Sequence, residues 1–120
     1  MTDIQKAGRP DRLSIEHTDT GGVHVVTVRG EIDHAVSGML GESLLIADRE
    51  PPRIVVDLSG VTFMDSSGIN AFIGAYQAAS GAQGWLRIAA AQEPVLRVLK
   101  LVGIDAVIPC RPTLEQALNG

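Results

Sequence analysis

The chain has 120 residues, of which 10 are basic and 14 acidic, and its formal net charge is −4. This length suits a single domain that buries a hydrophobic core without disulfides or bound metal. Because the charge is acidic and the only aromatic residues are two Phe, one Tyr and one Trp, the chain lacks the basic surface and the stacking rings typical of nucleic-acid binding.

Signals for export, membrane insertion and cross-linking are missing from the sequence. The amino terminus has no apolar stretch of the signal-peptide type, and no apolar run is long enough to cross a bilayer. Cys110 is the single cysteine, which excludes an internal disulfide and a cysteine-rich zinc site. We therefore expect a soluble, cytoplasmic protein without a membrane or nucleic-acid partner, a metal or a cofactor.

The chain opens with a polar tail and a predicted hairpin. Residues 1–11 are polar and contain glycine and proline, so we expect a flexible tail there and one domain over residues 12–120. Residues 13–17 alternate apolar and polar side chains, and residues 23–29 are rich in valine. The turn signal Asp-Thr-Gly-Gly at residues 19–22 separates the two segments, which predicts a β-hairpin.

A helical period follows the hairpin. Five residues recur on one helical stripe: Val36, Met39, Leu40, Leu44 and Ala47. Asp33 is placed to cap the start of this helix, which must end before Pro51. Residues 54–58 then form a short continuous apolar run, mostly β-branched, which predicts a strand in the centre of a parallel sheet.

Two further helices flank a fourth strand. The second helix is predicted by residues recurring at i, i+3, i+4, i+7 and i+11, and Gly81 marks its end; these residues are Ile69, Phe72, Ile73, Tyr76 and Ser80. Residues 85–90 are typical of a strand. Pro94 then opens a third helix that ends at Gly103 and carries one apolar stripe, formed by Val95, Val98, Leu99 and Val102.

The last segments complete an α/β pattern. Residues 104–108 predict a weak strand, and Thr113 with Gln116 forms a capping box for a short final helix. The order ββαβαβαβα predicts an amino-terminal hairpin that leads into a mixed, largely parallel sheet of about five strands covered by about four helices. The loops at residues 31–34, 64–67 and 91–93 should then be neighbours, since they follow parallel strands at one sheet edge.

The most informative segment is Met-Asp-Ser-Ser-Gly at residues 64–68, between a strand and an amphipathic helix. A helix start exposes unpaired N–H groups and the positive end of the macrodipole, so one serine can cap the helix and a phosphate can be accommodated there. Two adjacent serines leave one hydroxyl free, and Gly68 keeps the backbone open to close approach by a partner. An ordinary capped helix start is the alternative explanation of the same residues.

Three short motifs carry the most specific pattern in the chain: Gly-Glu-Ile-Asp at residues 30–33, Val-Asp-Leu at 56–58 and Val-Thr-Phe-Met-Asp-Ser-Ser-Gly at 61–68. Together they resemble the bacterial anti-sigma factor antagonists, which are single STAS domains. The similarity extends over about residues 12–118 and implies the STAS fold.

This resemblance implies a switch between partners. In such proteins an anti-sigma factor that is also an ATP-dependent serine kinase phosphorylates the first serine of the pair, here Ser66, while Ser67 is the less favoured acceptor. The unphosphorylated domain binds the anti-sigma factor and frees the sigma factor; the phosphorylated domain cannot bind, and a serine phosphatase restores it. Phosphate adds roughly −1.5 to −2 charges beside Asp65, with repulsion and desolvation against an acidic partner surface.

The resemblance also implies a non-catalytic regulator, monomeric or weakly dimeric, whose partner-binding surface surrounds the serines. That surface comprises Asp33, Met64, Asp65, Ser66, Ser67 and Gly68. Asp33 either caps the first helix or orients contacts of the kinase, Asp65 either orders the loop or shapes the serine for phosphoryl transfer, and Met64 offers apolar contact area. His34 and Asn70 depart from the family pattern and leave the identity of the partner open.

Other classes of function have weaker support. A serine hydrolase of the Gly-x-Ser-x-Gly type does not fit the serine segment, although His34 could approach Ser66 as a weak dyad. A Walker-type phosphate loop and a dinucleotide fingerprint are both lacking. The remaining alternative is a scaffold or sensory STAS domain of a larger signalling assembly, without direct control of a sigma factor.

Overall fold

Five strands form one mixed sheet in this computed structural model, which describes residues 13–45 and 51–119. The strands are β1 (Leu13–Thr20), β2 (Val23–Ile32), β3 (Arg53–Met64), β4 (Trp85–Ala89) and β5 (Cys110–Arg111). They lie side by side in chain order, with β1 antiparallel to β2 and every later pair parallel. The predicted α/β fold, a hairpin that leads into a largely parallel sheet, is confirmed.

Helices pack against both faces of this sheet. They are α1 (Ser37–Leu44), α2 (Ser67–Gly81), α3 (Glu93–Leu101) and α4 (Leu114–Asn119). The main core lies under the first three helices and includes Leu40, Phe72 and Leu99, all fully buried. On the opposite face, α4 contributes Ala117 to a smaller cluster with Val55. None of the helices in the described residues is long and apolar enough to span a bilayer.

Turn and cap residues behave as their chemistry predicts at three places. Gly21 and Gly22 both have positive φ angles, +57° and +86°, which the tight turn between β1 and β2 requires. Gly103 ends α3 with φ +81°. Thr113 Oγ1 accepts a hydrogen bond from the Gln116 N–H at 3.1 Å, as in the predicted capping box of α4.

The first helix and the third strand differ from the prediction in their limits. The first helix begins at Ser37, with Val36 rather than Asp33 at its N-cap, and Ala47 falls outside the described residues. The third strand continues six residues beyond the predicted end at residue 58, to Met64. Two register shifts against β2 give it one extra residue each, so the apolar alternation that marks a strand is interrupted there.

The predicted strand at residues 104–108 is wrong. Ile104–Ala106 forms a 3₁₀ turn, and the Ile108 N–H donates to the Ile104 carbonyl at 2.8 Å. Ile104 and Ile108 are both buried, but Ala106 between them is exposed, whereas a strand would place all three on one face. The edge strand forms later, at Cys110–Arg111. The predicted tail over residues 1–11 lies outside the described residues.

Candidate functional site

The serine segment lies where β2 and β3 end together. Their final pair is Ile32 with Met64, and the Asp65 N–H donates to the Ile32 carbonyl at 3.1 Å. The loop after β2 and the serine segment are therefore neighbours, as expected. Since β4 pairs with β3 only as far as Asp57, the site stands beyond the end of β4.

The loop at residues 91–93, which follows β4, contacts β3 well before the end of that strand. The Gln92 side chain donates to the carbonyl of Ser59 at 2.6 Å. Gly60, the residue after Ser59, pairs with Arg29, which is three residues before Ile32, the partner of Met64; Asp65 therefore lies roughly 15 Å beyond Ser59 at the usual rise of about 3.3 Å per residue. The expectation that residues 91–93 adjoin the serines is corrected accordingly: the long β3 carries the serine segment past them.

The two serines differ in their hydrogen bonding. The Ser67 hydroxyl donates to Asp65 Oδ1 in a short hydrogen bond, and the Ser67 N–H donates to the same oxygen at 2.9 Å. Ser66 occupies the N-cap of α2, is exposed, and makes no side-chain capping bond. Its hydroxyl has no hydrogen-bond partner among the described residues. Ser66 thus presents a hydroxyl to solvent, and Ser67 is engaged.

Asp65 orders the start of α2. Its carboxylate accepts both bonds from Ser67, and its carbonyl accepts the Gly68 N–H at 3.2 Å. The Ser67 hydroxyl is the main cause that lowers the pKa of Asp65; partial burial opposes it, and the Ser67 N–H and His34 add to the lowering. The carboxylate, rather than a serine, satisfies the first open N–H of the helix.

Asp65→Asn is expected to change the pH dependence of stability. The folded pKa lies below its ordinary value of 3.8, so the carboxylate stabilises the fold above about pH 4 and the contribution is lost as pH falls through the lowered pKa. The melting temperatures of wild type and variant should differ at about pH 6 and approach each other as the pH falls below 3.8 through the lowered pKa. Ser66→Ala, which leaves the Asp65 bonds intact, is the control and should follow wild type. A wild-type advantage that is independent of pH would contradict this account.

Met64 and Gly68 lie beneath the surface of the loop. Met64 is 2% exposed and Gly68 is buried. A Cβ on Gly68 would lie 2.8 Å from Ile32 Cγ2 and 3.0 Å from the Met64 sulfur. The close approach at Gly68 is therefore to the protein's own core, because α2 starts directly above the ends of β2 and β3. The predictions that Met64 supplies contact area and that Gly68 opens the backbone to a partner are corrected by these positions.

Asp33 shapes the loop beside the serines. Its Oδ1 accepts the Ala35 N–H at 3.0 Å and its carbonyl accepts the Val36 and Ser37 N–H groups at 3.2 and 3.1 Å. It therefore forms the turn that precedes α1 and does not occupy the N-cap. His34 is exposed and contributes to the lowered pKa of the Asp65 carboxyl. No hydrogen bond between His34 and Ser66 is present in the described part of the chain.

A further residue at this edge, Phe63, was not among the predicted site residues, and it is 47% exposed. Its outward position follows from the alternation of a strand only once β3 is known to extend to Met64 and Met64 is known to be buried, and neither was predicted from the sequence. No group of three or more metal-ligating side chains is found in the residues that the structure describes.

Cys110 lies away from the site, half-buried on the edge strand β5. Burial raises the pKa of its thiol to about 11, and Asp105 adds to the effect. The thiol is therefore protonated at neutral pH, which supports the interpretation of Cys110 as a structural residue rather than a nucleophile.

The chain is similar to known proteins over most of its length. The family model of the STAS domain matches residues 14–117. An anti-sigma F factor antagonist of Paenibacillus polymyxa is 32% identical over 109 residues, which are 89% of this chain and 93% of that protein. The anti-sigma-F factor antagonist RsfB of Mycobacterium tuberculosis is 31% identical over 92% of this chain and 91% of its own. The crystal structure of an anti-sigma factor antagonist from Mycobacterium paratuberculosis superposes with a TM-score of 0.82, at 32% identity, over 92% of this chain and 94% of that one.

Proposed function

The chain belongs to the STAS domain family, and on that basis we propose that it is an anti-sigma factor antagonist controlled by phosphorylation of Ser66. In the unphosphorylated state it binds an anti-sigma factor, and the sigma factor held by that protein is released for transcription. The same anti-sigma factor acts as an ATP-dependent serine kinase on Ser66, and a serine phosphatase reverses the modification. The protein itself is a cytoplasmic, monomeric or weakly dimeric regulator and catalyses no reaction.

One observation carries this proposal: of the two adjacent serines, only Ser66 has an exposed hydroxyl that is not engaged within the described residues. Ser67 is half-buried and its hydroxyl donates to Asp65. A kinase needs a hydroxyl that is accessible and able to turn toward the γ-phosphate, and of these two serines Ser66 is the one that meets both conditions within the described residues.

The position of Ser66 also explains how a phosphate can change binding without unfolding the domain. A phosphoserine at the N-cap lies at the positive end of the 15-residue helix α2 and remains in water. In a complex, however, a partner would have to bury a group carrying roughly −1.5 to −2 charges next to the Asp65 carboxylate. Desolvation and like-charge repulsion therefore oppose docking, while the fold is retained.

The direct test is phosphorylation followed by binding. The full chain is incubated with candidate anti-sigma factor kinases and Mg-ATP, the phosphopeptide is mapped by mass spectrometry, and anti-sigma factor affinity is measured before and after. We expect phosphate on Ser66 and loss of binding by the phosphorylated form. Phosphate on another residue, or equal affinity of both forms, would refute the switch. Purification of the protein in a multimeric STAS assembly, without a kinase-like partner, would favour the scaffold alternative.

A further inference from the structure

Phe63 is a large aromatic side chain that the fold leaves on the surface beside the candidate switch. It is 47% exposed, whereas the other phenylalanine, Phe72, is fully buried in the main core. It lies one residue from the end of β3 and pairs in register with Glu31 of β2. Phenylalanine is among the residues that are enriched in the buried part of protein interfaces relative to the rest of the surface.

The sheet geometry explains why Phe63 faces outward. Ile32 and Met64 form the next pair in the register and are buried in the main core, so the preceding pair points to the opposite face. β4 pairs with β3 only as far as Asp57, and α4 packs lower, around Val55. Among the described residues, β4 and α4 therefore lie alongside the earlier part of β3 and do not reach the ring of Phe63.

Phe63 lies close enough to Ser66 for one partner to contact both residues. The two residues are three apart in sequence, so their Cα atoms are at most about 11 Å apart. A standard interface buries about 800 Å² per partner, which corresponds to a disc of roughly 16 Å radius. A partner centred on Ser66 is therefore wide enough to extend over the end of the sheet to Phe63. Aromatic side chains buried near the centre of an interface commonly carry much of its binding energy.

We propose that Phe63 is the apolar anchor by which this protein binds its anti-sigma factor, and that the partner offers an apolar depression for the ring. This inference rests on the proposed function, since the occupant is the protein that binds around Ser66. Glu31, exposed and opposite Phe63 in the register, belongs to the polar rim of the contact. Phosphate on Ser66 would then act by keeping the partner from the close approach that burial of the ring requires.

The test compares variants of one strand position, residue 63, in the 120-residue chain. Phe63→Ala and Phe63→Thr both remove the ring, and threonine keeps a high strand propensity in case alanine disturbs β3. Both are expected to weaken anti-sigma factor binding about tenfold or more, measured by calorimetry. Phe63→Leu, which keeps apolar area, should lose less. The matched control is Leu101→Ala, which removes a side chain that is 85% exposed at the end of α3.

The outcomes separate this inference from the function on which it rests. If wild type binds no anti-sigma factor, both fail. If wild type binds and the Phe63 variants bind equally well, with melting temperatures within about 4 °C of wild type, only the anchor is refuted. If sedimentation shows a wild-type dimer that the Phe63 variants lose, while their anti-sigma factor affinity is unchanged, the ring belongs to a contact between copies and the anchor is again refuted.

Discussion

Replacing Ser66 by alanine is expected to reduce phosphate incorporation by the anti-sigma factor kinase to background. The variant lacks the only one of the two serine hydroxyls that is exposed and unengaged within the described residues. Its anti-sigma factor binding should persist in the presence of Mg-ATP, whereas wild type loses binding as it becomes phosphorylated. The fold should be unaffected, because the capping contacts of α2 come from Asp65.

Ser67→Ala is the matched control for this result. It deletes a neighbouring hydroxyl of the same kind and removes the hydrogen bond to Asp65, which we expect to lower stability by about 1 kcal/mol. It keeps the Ser66 hydroxyl and should still be phosphorylated. If Ser67→Ala loses phosphate incorporation and Ser66→Ala retains it, the assignment of the acceptor is reversed and the argument from exposure is wrong.

Ser66→Asp completes the comparison by adding charge without a kinase. A carboxylate beside Asp65 should lower affinity for the anti-sigma factor at least tenfold, since like charges brought together at an interface cost several kcal/mol. The melting temperature should stay near that of wild type, because a negative charge at the start of α2 is favourable for the helix. Gross unfolding of Ser66→Asp would contradict the view that only docking is affected.

Most of the fold follows from local patterns in the sequence. The hairpin is predictable because two consecutive glycines permit the positive φ angles of the turn, and α2 because its apolar residues keep a helical period. The end of β3 is not predictable in this way. Its last residues include Ser59, Gly60 and Thr62, and two register shifts interrupt the alternation, so only pairing with β2 reveals the strand.

The family resemblance predicts the composition of the candidate site and names Ser66 as the acceptor, but the residues themselves do not show which serine is hydrogen-bonded. The motif identifies the serine pair, but only the position of the Asp65 carboxylate decides that Ser67 is engaged and Ser66 is exposed. A glycine at position 68 predicts that another group approaches the backbone closely there. The sequence does not say whether that group belongs to a partner or to the protein's own core. The structure brings Ile32 and Met64 against it, and this contact depends on tertiary packing.

The largest loss of stability is expected from a small change at the opposite end of the sheet, Gly84→Ala. A Cβ at Gly84 would lie 1.8 Å from the carbonyl oxygen of Pro52 and 2.7 Å from its carbonyl carbon. That oxygen accepts the Trp85 N–H at 2.9 Å, next to the first pair of β3 with β4, Arg53 with Trp85. Because both contacting groups are backbone, the clash can be relieved only by separating the strands where they begin.

We expect Gly84→Ala to lower the free energy of unfolding by about 3 kcal/mol or more, and the melting temperature by about 10 °C or more. Gly74→Ala, in the middle of α2, is the matched control, since a Cβ there meets nothing within 4 Å. That substitution should raise stability by up to about 1 kcal/mol, because alanine favours the helix. Chemical denaturation of both variants measures the contrast. Equal unfolding midpoints for Gly84→Ala and wild type would show that β3 and β4 do not begin as closely packed as this structure has them.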